Sequence, residues 1–553
     1  MSRYPSMDEY NGAVQHPKTA FFDPVLKTAK IATNGMGLPI ALGGGFALTY
    51  RASTGAKKFA VRCFHKEARD LEARYAHIDK GLRGAGGDYF VGFEFQPGGV
   101  LINGKRFPIV KMEWVDGDTL GSFLEDNYGD RSAIELLRRQ FINLERFLRQ
   151  QRVAHGDLQN GNVVVGSSLK LIDYDGMYVP SLPTGKGAEL GQKHFQHPKR
   201  TADDFGPDMD RFSFIVIDLS LRALAENPGL FSTHSNGENI IFAAGDVLDP
   251  GRSPVFRALK SSPRLARDAA NFAAICFAGT KGIPALSDFL AGQNIPSSPI
   301  VVPPSKQQTS TASRPAYVGA YDVLNAASYS AVAKQVGNKV ELVGIVTRVH
   351  LGWTRQRRPY CFIFFDNSRQ CVKLNIWSNG LGKLTEKPTE AWVGKWLSVQ
   401  GLVDPAFSNK NGTSLSITVD AGNQIRQITQ AEAQRRLRKP GTASAGASSR
   451  NQTVLAQLNL PPPAATTPAP VRKQRKATRK AASAPPAAST VQFKNQAILT
   501  ALQQGQPSRP AVKPTRSPPP TSVRPSTAPV ADVPWGWIVF GVIALLFFLG
   551  SLR

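Results

Sequence analysis

Cysteine is scarce in this chain: Cys63, Cys276, Cys361 and Cys371 are the four in 553 residues, and none lies in C-x-x-C spacing. That spacing is what a local zinc or dithiol site needs, so both are excluded. Each cysteine sits in an apolar run, so free thiols in a reducing compartment are expected. Residues 1–30 lack the sustained apolar core of a signal peptide. Acidic residues are also few, 41 against 67 Lys and Arg, for a net charge of +26. The deficit is local, because residues 431–532 hold 16 Lys and Arg against only Glu432 and Asp532. This stretch is rich in Pro, Ala, Ser and Thr and too poor in large apolar residues to bury a core. It reads as a disordered tether. Its densest basic cluster is Arg472-Lys473-Gln474-Arg475-Lys476-Ala477-Thr478-Arg479-Lys480. Charge vanishes altogether over residues 533–552. About 20 residues at ~1.5 Å rise each span a bilayer core of roughly 30 Å, so a C-terminal transmembrane helix is expected. Trp535 and Trp537 suit one interface, and the basic flank before the span places the rest of the chain in the cytoplasm. That position favours attraction to anionic lipid, or a plain tether, over nucleic acid as the role of the basic cluster.

Two segments concentrate the chemistry. His155-Gly156-Asp157-Leu158-Gln159-Asn160-Gly161-Asn162 precedes Leu171-Ile172-Asp173-Tyr174-Asp175-Gly176. The apolar runs Val163-Val164-Val165 and Leu169-Lys170-Leu171 flank Ser167-Ser168, a hairpin pattern that brings the loop and Asp173 together. These segments resemble the H-R-D-L-x-x-x-N loop and D-F-G segment of protein kinases, with Gly156 replacing the arginine and Asp175 the glycine. The resemblance, closest to a group of atypical bacterial protein kinases, covers residues 38–292. It implies a base at Asp157, Mg²⁺ ligands at Asn162 and Asp173, and ATP as phosphoryl donor.

Upstream, Leu42-Gly43-Gly44-Gly45-Phe46-Ala47 precedes Lys58-Phe59-Ala60-Val61-Arg62 and resembles the kinase glycine-rich loop and following strand. Gly43, Gly44 and Gly45 would let backbone N–H groups approach phosphates. Arg62 stands at the position of the phosphate-binding lysine, a swap that keeps the charge but changes its shape. Glu72, with Glu67 as rival, is the acid expected to pair with Arg62 from the next helix. Residues 107–117 resemble the segment joining the lobes, with Met112 behind the adenine pocket and backbone groups of Glu113 and Val115 facing the base. Asp208-Met209-Asp210-Arg211-Phe212-Ser213 resembles the start of the long buried helix, where Asp210 is expected to cap the helix and bond back to the catalytic loop. Without an arginine before Asp157, control by activation-loop phosphorylation through that residue is not expected.

Residues 293–315 form a Pro- and Ser-rich linker. Beyond them a helical stretch (321–336) leads into strand patterns at 339–350, 360–365, 370–377, 392–403 and 414–419, with a short helix at 378–386. Three strands, a helix and two strands is the order of an OB-fold, a five-stranded partly open barrel. Trp353, Arg355, Arg357, Arg358, Tyr360, Phe362, Phe364, Lys373 and Trp377 would form a polyanion face, though a protein-docking or spacer role ranks above nucleic-acid binding.

The expected whole is α+β: an N-terminal segment (1–37), a two-lobed protein-kinase-like domain (38–292), an OB-like β-barrel (316–430), the tether and one membrane helix. The expected activity is Ser/Thr-type protein phosphorylation at the cytoplasmic face of a membrane, using ATP and Mg²⁺ on a protein substrate. A pseudokinase scaffold and a nucleic-acid-binding membrane protein are the rivals.

Overall fold

The computed structural model describes residues 3–43, 45–66, 70–182, 185–297, 317–354, 356–410 and 412–438, all within one compact unit. It is a mixed α+β structure with three sheets.

The first sheet is antiparallel, in the order Lys30–Ile31, Ala47–Thr54, Lys57–Phe64, Lys105–Glu113, Phe93–Ile102, with Ala41–Gly43 paired onto Ala47–Thr54. The N-terminal segment is built into this sheet. The helix Met7–Val14 starts in a capping box made by Ser6 and Glu9 and buries Met7, Tyr10 and Val14. These pack with Leu48, Tyr50, Val61 and Ile109, and the Tyr10 hydroxyl donates to the Phe64 carbonyl at 2.6 Å.

The second half is helical. Asp130 caps the amphipathic helix Arg131–Gln151 by accepting from Ser132 and Ala133 N–H groups. That helix lays Ile134, Leu137, Phe141, Leu144 and Leu148 against the helix Arg211–Glu226, which is buried on nearly every side. A small sheet of Asp118–Thr119, Val163–Val165 and Lys170–Leu171 sits where the two halves meet. It contains the expected hairpin, in a register that sets Val163 opposite Leu171 and Val164 opposite Lys170, one position away from a two-residue Ser167-Ser168 turn.

The C-terminal part departs from expectation. Its sheet has eight strands instead of five, running Val323–Asn325, Lys339–Ile345, Trp396–Asn409, Gly412–Thr418, Gln370–Ile376, Pro359–Phe364, Arg348–Trp353, with Ile425–Ile428 beside Trp396–Asn409. Among the described residues no ladder closes it into a barrel. The strand expected at 339–350 breaks at Val346-Thr347, whose N–H groups bond in opposite directions, to Lys395 and Phe364 carbonyls. Its two pieces therefore end the ladder on different partners. The expected helix at 321–336 is a short strand, Val323–Asn325, and a single turn, Tyr329–Ala333. The expected tether begins later than residue 431, because Gln430–Leu437 is a helix. Arg436 anchors it to the fully buried Glu341 at 2.8 Å, and Glu341 also accepts from Ser398 and Tyr317 hydroxyls. A buried carboxylate needs such partners.

The four cysteines are free and buried. Among the described residues no helix is long and apolar enough to cross a membrane; residues 533–552 and most of the expected tether lie outside the described residues.

Candidate functional site

The loop after Arg131–Gln151 is tied down by its backbone. Asp210 accepts from the N–H groups of His155 (2.5 Å) and Gly156 (2.8 Å), but makes no side-chain cap on its own helix. The bond back to the loop is as expected and the cap is not, because both carboxylate oxygens are spent on the loop. Gly156 has φ +83°, and a Cβ there would lie 2.3 Å from the Gly176 carbonyl oxygen. No side chain fits, which is the physical reason arginine is absent.

Asp157 is half-buried between two donors. Its Oδ1 accepts from Gln192 N–H at 2.7 Å and its Oδ2 from Asn162 Nδ2 at 2.9 Å. Burial pushes its pKa up, and nearby Asp173 adds to the rise against the Gln192 N–H. Asp173 follows the hairpin at φ +68°, a backbone region that non-glycine residues rarely occupy outside functional sites. The His155 ring meets the Ile172 carbonyl at 3.0 Å and locks this turn to the loop.

Arg62 reaches across from the sheet and forks onto two carboxylates, Asp173 at 2.9 Å and Asp175 at 2.5 Å. Burial raises the Asp173 carboxyl, but the guanidinium outweighs it and leaves the pKa below the ordinary value. For Asp175 burial wins and the pKa is raised, although Arg62 and the Tyr75 hydroxyl both bond it. The expected Arg62–Glu72 pair is not formed. Glu72 is exposed at the start of the helix Leu71–Ala85, which instead sends Tyr75 and Arg74 inward. Arg74 donates to the carbonyls of Asp175 (2.8 Å) and Met177 (2.7 Å). Asp175 fills the role given to the helix acid, and it does so from the position of the missing glycine. Glu67 and Gly44 lie outside the described residues.

A cavity of about 450 Å³ joins these groups. Gly43, Gly45, Arg62, Met112, Glu113, Val115, Asp157, Asn162 and Asp173 all line it. This is the size of an ordinary small-ligand site. Met112 is buried and Glu113 exposed. The Glu113 N–H is already used on the Gly92 carbonyl at 3.2 Å, which leaves only its carbonyl to offer a ligand.

Among the described residues no group of three or more His, Cys, Asp and Glu is set to hold a metal by itself. Asn162 uses its Nδ2 on Asp157, and no described residue bonds its side-chain oxygen Oδ1. With one oxygen of Asp173, that makes a partial hard-oxygen set. It fits Mg²⁺, which normally takes one or two protein ligands and fills its shell from phosphates and water.

Sequence reasoning missed Glu189, Gln192, Tyr75 and Asp175 as site residues. Glu189 lines the cavity, and burial together with Asp173, Asp175 and Asp157 pushes its pKa well above the ordinary value. Asp175 carried a visible signal, an acid where the resemblance demands glycine; the others carried none.

In the C-terminal part Tyr360 and Phe362 do share a face, with centroids 4.6 Å apart, and Lys373 Nζ lies 4.1 Å from the Phe362 ring centre. Trp377 joins them but packs on Gly35 of the N-terminal segment, which removes it from a free face. Arg355 lies outside the described residues. No protein-family model matches the chain, and no curated protein matches it.

Proposed function

We propose that the protein is an ATP-dependent phosphotransferase of protein-kinase-like architecture, acting on Ser or Thr hydroxyls of a protein substrate at the cytoplasmic face of a membrane. One observation carries this reading: Arg62, Asp157, Asn162 and Asp173 border a single nucleotide-sized cavity together with Gly43, Gly45 and Met112. Asp157 would accept the proton of the attacking hydroxyl, since burial and Asp173 make it a stronger base than a free aspartate. Asn162 holds that carboxylate in orientation. Arg62 would meet phosphate oxygens from the sheet side once its fork onto Asp173 loosens. Asn162 and Asp173 would hold Mg²⁺, which when bound neutralises triphosphate charge. The likeness of the C-terminal part to an OB-fold rests on its strand order, including the parallel pair Gln370–Ile376 with Gly412–Thr418. An anionic lipid contact through residues 472–480 and a nucleic-acid contact through the C-terminal part are secondary readings.

The pseudokinase alternative draws support from one contact, the Arg62–Asp173 pair, which ties up an oxygen that a metal needs. The two are separated by Asp157→Asn, which keeps the shape of the side chain. Autophosphorylation with labelled ATP and Mg²⁺ should fall by about 10³-fold or more, with the protein still folded and its unfolding midpoint only slightly lowered, since the amide accepts from just one of the two donors that face Asp157. Equal activity in the variant removes Asp157 as base, and no activity in either form favours the scaffold.

A further inference from the structure

The cleft is bordered by both folded parts of the chain. Ala320, Tyr321, Asn338 and Lys339 from the C-terminal part line the same cavity as Asp157 and Asp173. The Tyr321 hydroxyl donates to the Glu238 carboxylate at 2.7 Å. Gln192 donates through its side-chain amide to the Glu238 carbonyl at 2.7 Å, and through its backbone N–H to Asp157 at 2.7 Å. A continuous polar chain thus links the C-terminal part to the carboxylate assigned as base.

That part also grips both halves of the cleft. On the sheet side, Lys66 Nζ bonds Asn338 at 3.0 Å. Leu402 lies so close to Gly43 that a Cβ on the glycine would stand 2.3 Å from its methyl, and a Cβ on Gly35 would stand 2.6 Å from the Trp377 ring. On the helical side, a Cβ on Gly237 would stand 2.6 Å from the Asn423 carbonyl oxygen. Glycine at these three points permits a close approach, and at Gly237, where the neighbour is backbone, a Cβ would have no side chain to push aside. A body that touches both halves fixes the angle between them, and opening of such clefts is what lets substrates enter.

The end of the cavity at Met112 and Val115 is walled by the strand Lys105–Glu113 and the residues that follow it. The C-terminal part enters beside Gln192 and Asp157, where a hydroxyl would approach. About 450 Å³ accommodates a nucleotide-sized ligand, and Ala320, Tyr321, Asn338 and Lys339 of the C-terminal part take up a share of its lining. We propose that the C-terminal part is an autoinhibitory clamp: it holds the two halves together and seals the acceptor side of the cleft, so nucleotide can be bound while a polypeptide hydroxyl is kept from Asp157 until the clamp releases. This inference rests on the phosphotransferase reading.

The test uses the full chain with Leu402→Asp, which sets a carboxylate against Gly43, and with Tyr321→Phe, which removes the bond to Glu238. Hydrogen–deuterium exchange reads the clamp without turnover. Amides of residues 41–43 and 191–196 should exchange about tenfold faster in Leu402→Asp and about threefold faster in Tyr321→Phe. Transfer of labelled phosphate from ATP to myelin basic protein should rise by similar factors. If Leu402→Asp does not fold, Tyr321→Phe carries the comparison. Unchanged exchange in the folded variants overturns the clamp, whatever the activity. Faster exchange with level or lower transfer, while the unaltered protein still transfers phosphate, overturns inhibition and leaves the phosphotransferase standing. Faster exchange with no transfer by any form, despite binding of a fluorescent ATP analogue, sinks the phosphotransferase reading and the inhibitory role with it.

Discussion

Restoring lysine at position 62, the residue that the kinase resemblance demands, should damage this protein. The Arg62 guanidinium bonds Asp173 through one terminal nitrogen and Asp175 through the other, at 2.9 and 2.5 Å. A lysine ammonium is a single point and cannot hold both carboxylates in those places. The side chain of Arg62 is 11% exposed and that of Asp175 is 9% exposed, so an abandoned partner has little water to turn to. Leaving one charged, buried group with a lost hydrogen bond costs about 1.5–3 kcal/mol. Tyr75 keeps its bond to Asp175 and softens the loss, so about 2 kcal/mol is the expected destabilisation for Arg62→Lys. Urea unfolding followed by tryptophan fluorescence reads the stability, and a fluorescent ATP analogue with Mg²⁺ reads the cleft. Affinity should fall by roughly tenfold as the displaced carboxylates repel triphosphate. A lysine variant as stable as the parent, with equal or tighter nucleotide binding, would refute the argument that the fork onto Asp173 and Asp175 organises the site.

Asp210→Ala should cost about 2–4 kcal/mol, because the N–H groups of His155 and Gly156 lose their acceptor in a buried place; unchanged melting and unchanged amide exchange at residues 155–157 would contradict this. In the C-terminal part burial raises the Asp404 pKa to about 6, despite bonds from Ser416 and Thr418 hydroxyls. Since the folded form binds the proton more tightly than the unfolded form, stability should fall as pH rises from about 4 to 6 and then level off. Asp404→Asn should flatten that slope and stabilise the protein at pH 7 by roughly 1–3 kcal/mol, checked by urea midpoints at pH 4.5 and 7. An unchanged slope in the variant would show that another group is responsible.

Local pattern made several elements legible. Apolar runs either side of Ser167-Ser168 announced the Val163–Leu171 hairpin, and the resemblance of Asp208-Met209-Asp210-Arg211-Phe212-Ser213 to the start of a long buried helix announced Arg211–Glu226. Both are set by neighbours within a few residues. The polar groups of the cleft were legible too, because identity and spacing in Gly43, Arg62, Asp157, Asn162 and Asp173 carry the resemblance. The partner of Arg62 was not. Glu72 had the right spacing on its helix, whereas Asp175 is 113 positions away along the chain and reaches Arg62 only through the φ of Asp173 and the packing of Tyr75. The break at Val346-Thr347 was legible only in part: Gly344 inside the expected strand suggests a bend, but not that the two pieces pair with different strands.

By itself, then, the sequence settled which residue types were available and which short elements they would make: a glycine-flanked strand pair, a tethered polar loop, a hairpin and a buried helix. Only the folded chain decided that Arg62 bridges two aspartates, that Gly156 leaves no space for arginine, and that Tyr321 and Lys339 border the cleft. Those outcomes depend on close approach between residues far apart in the chain. Close approach is decided by how whole elements pack, and local periodicity carries no record of it.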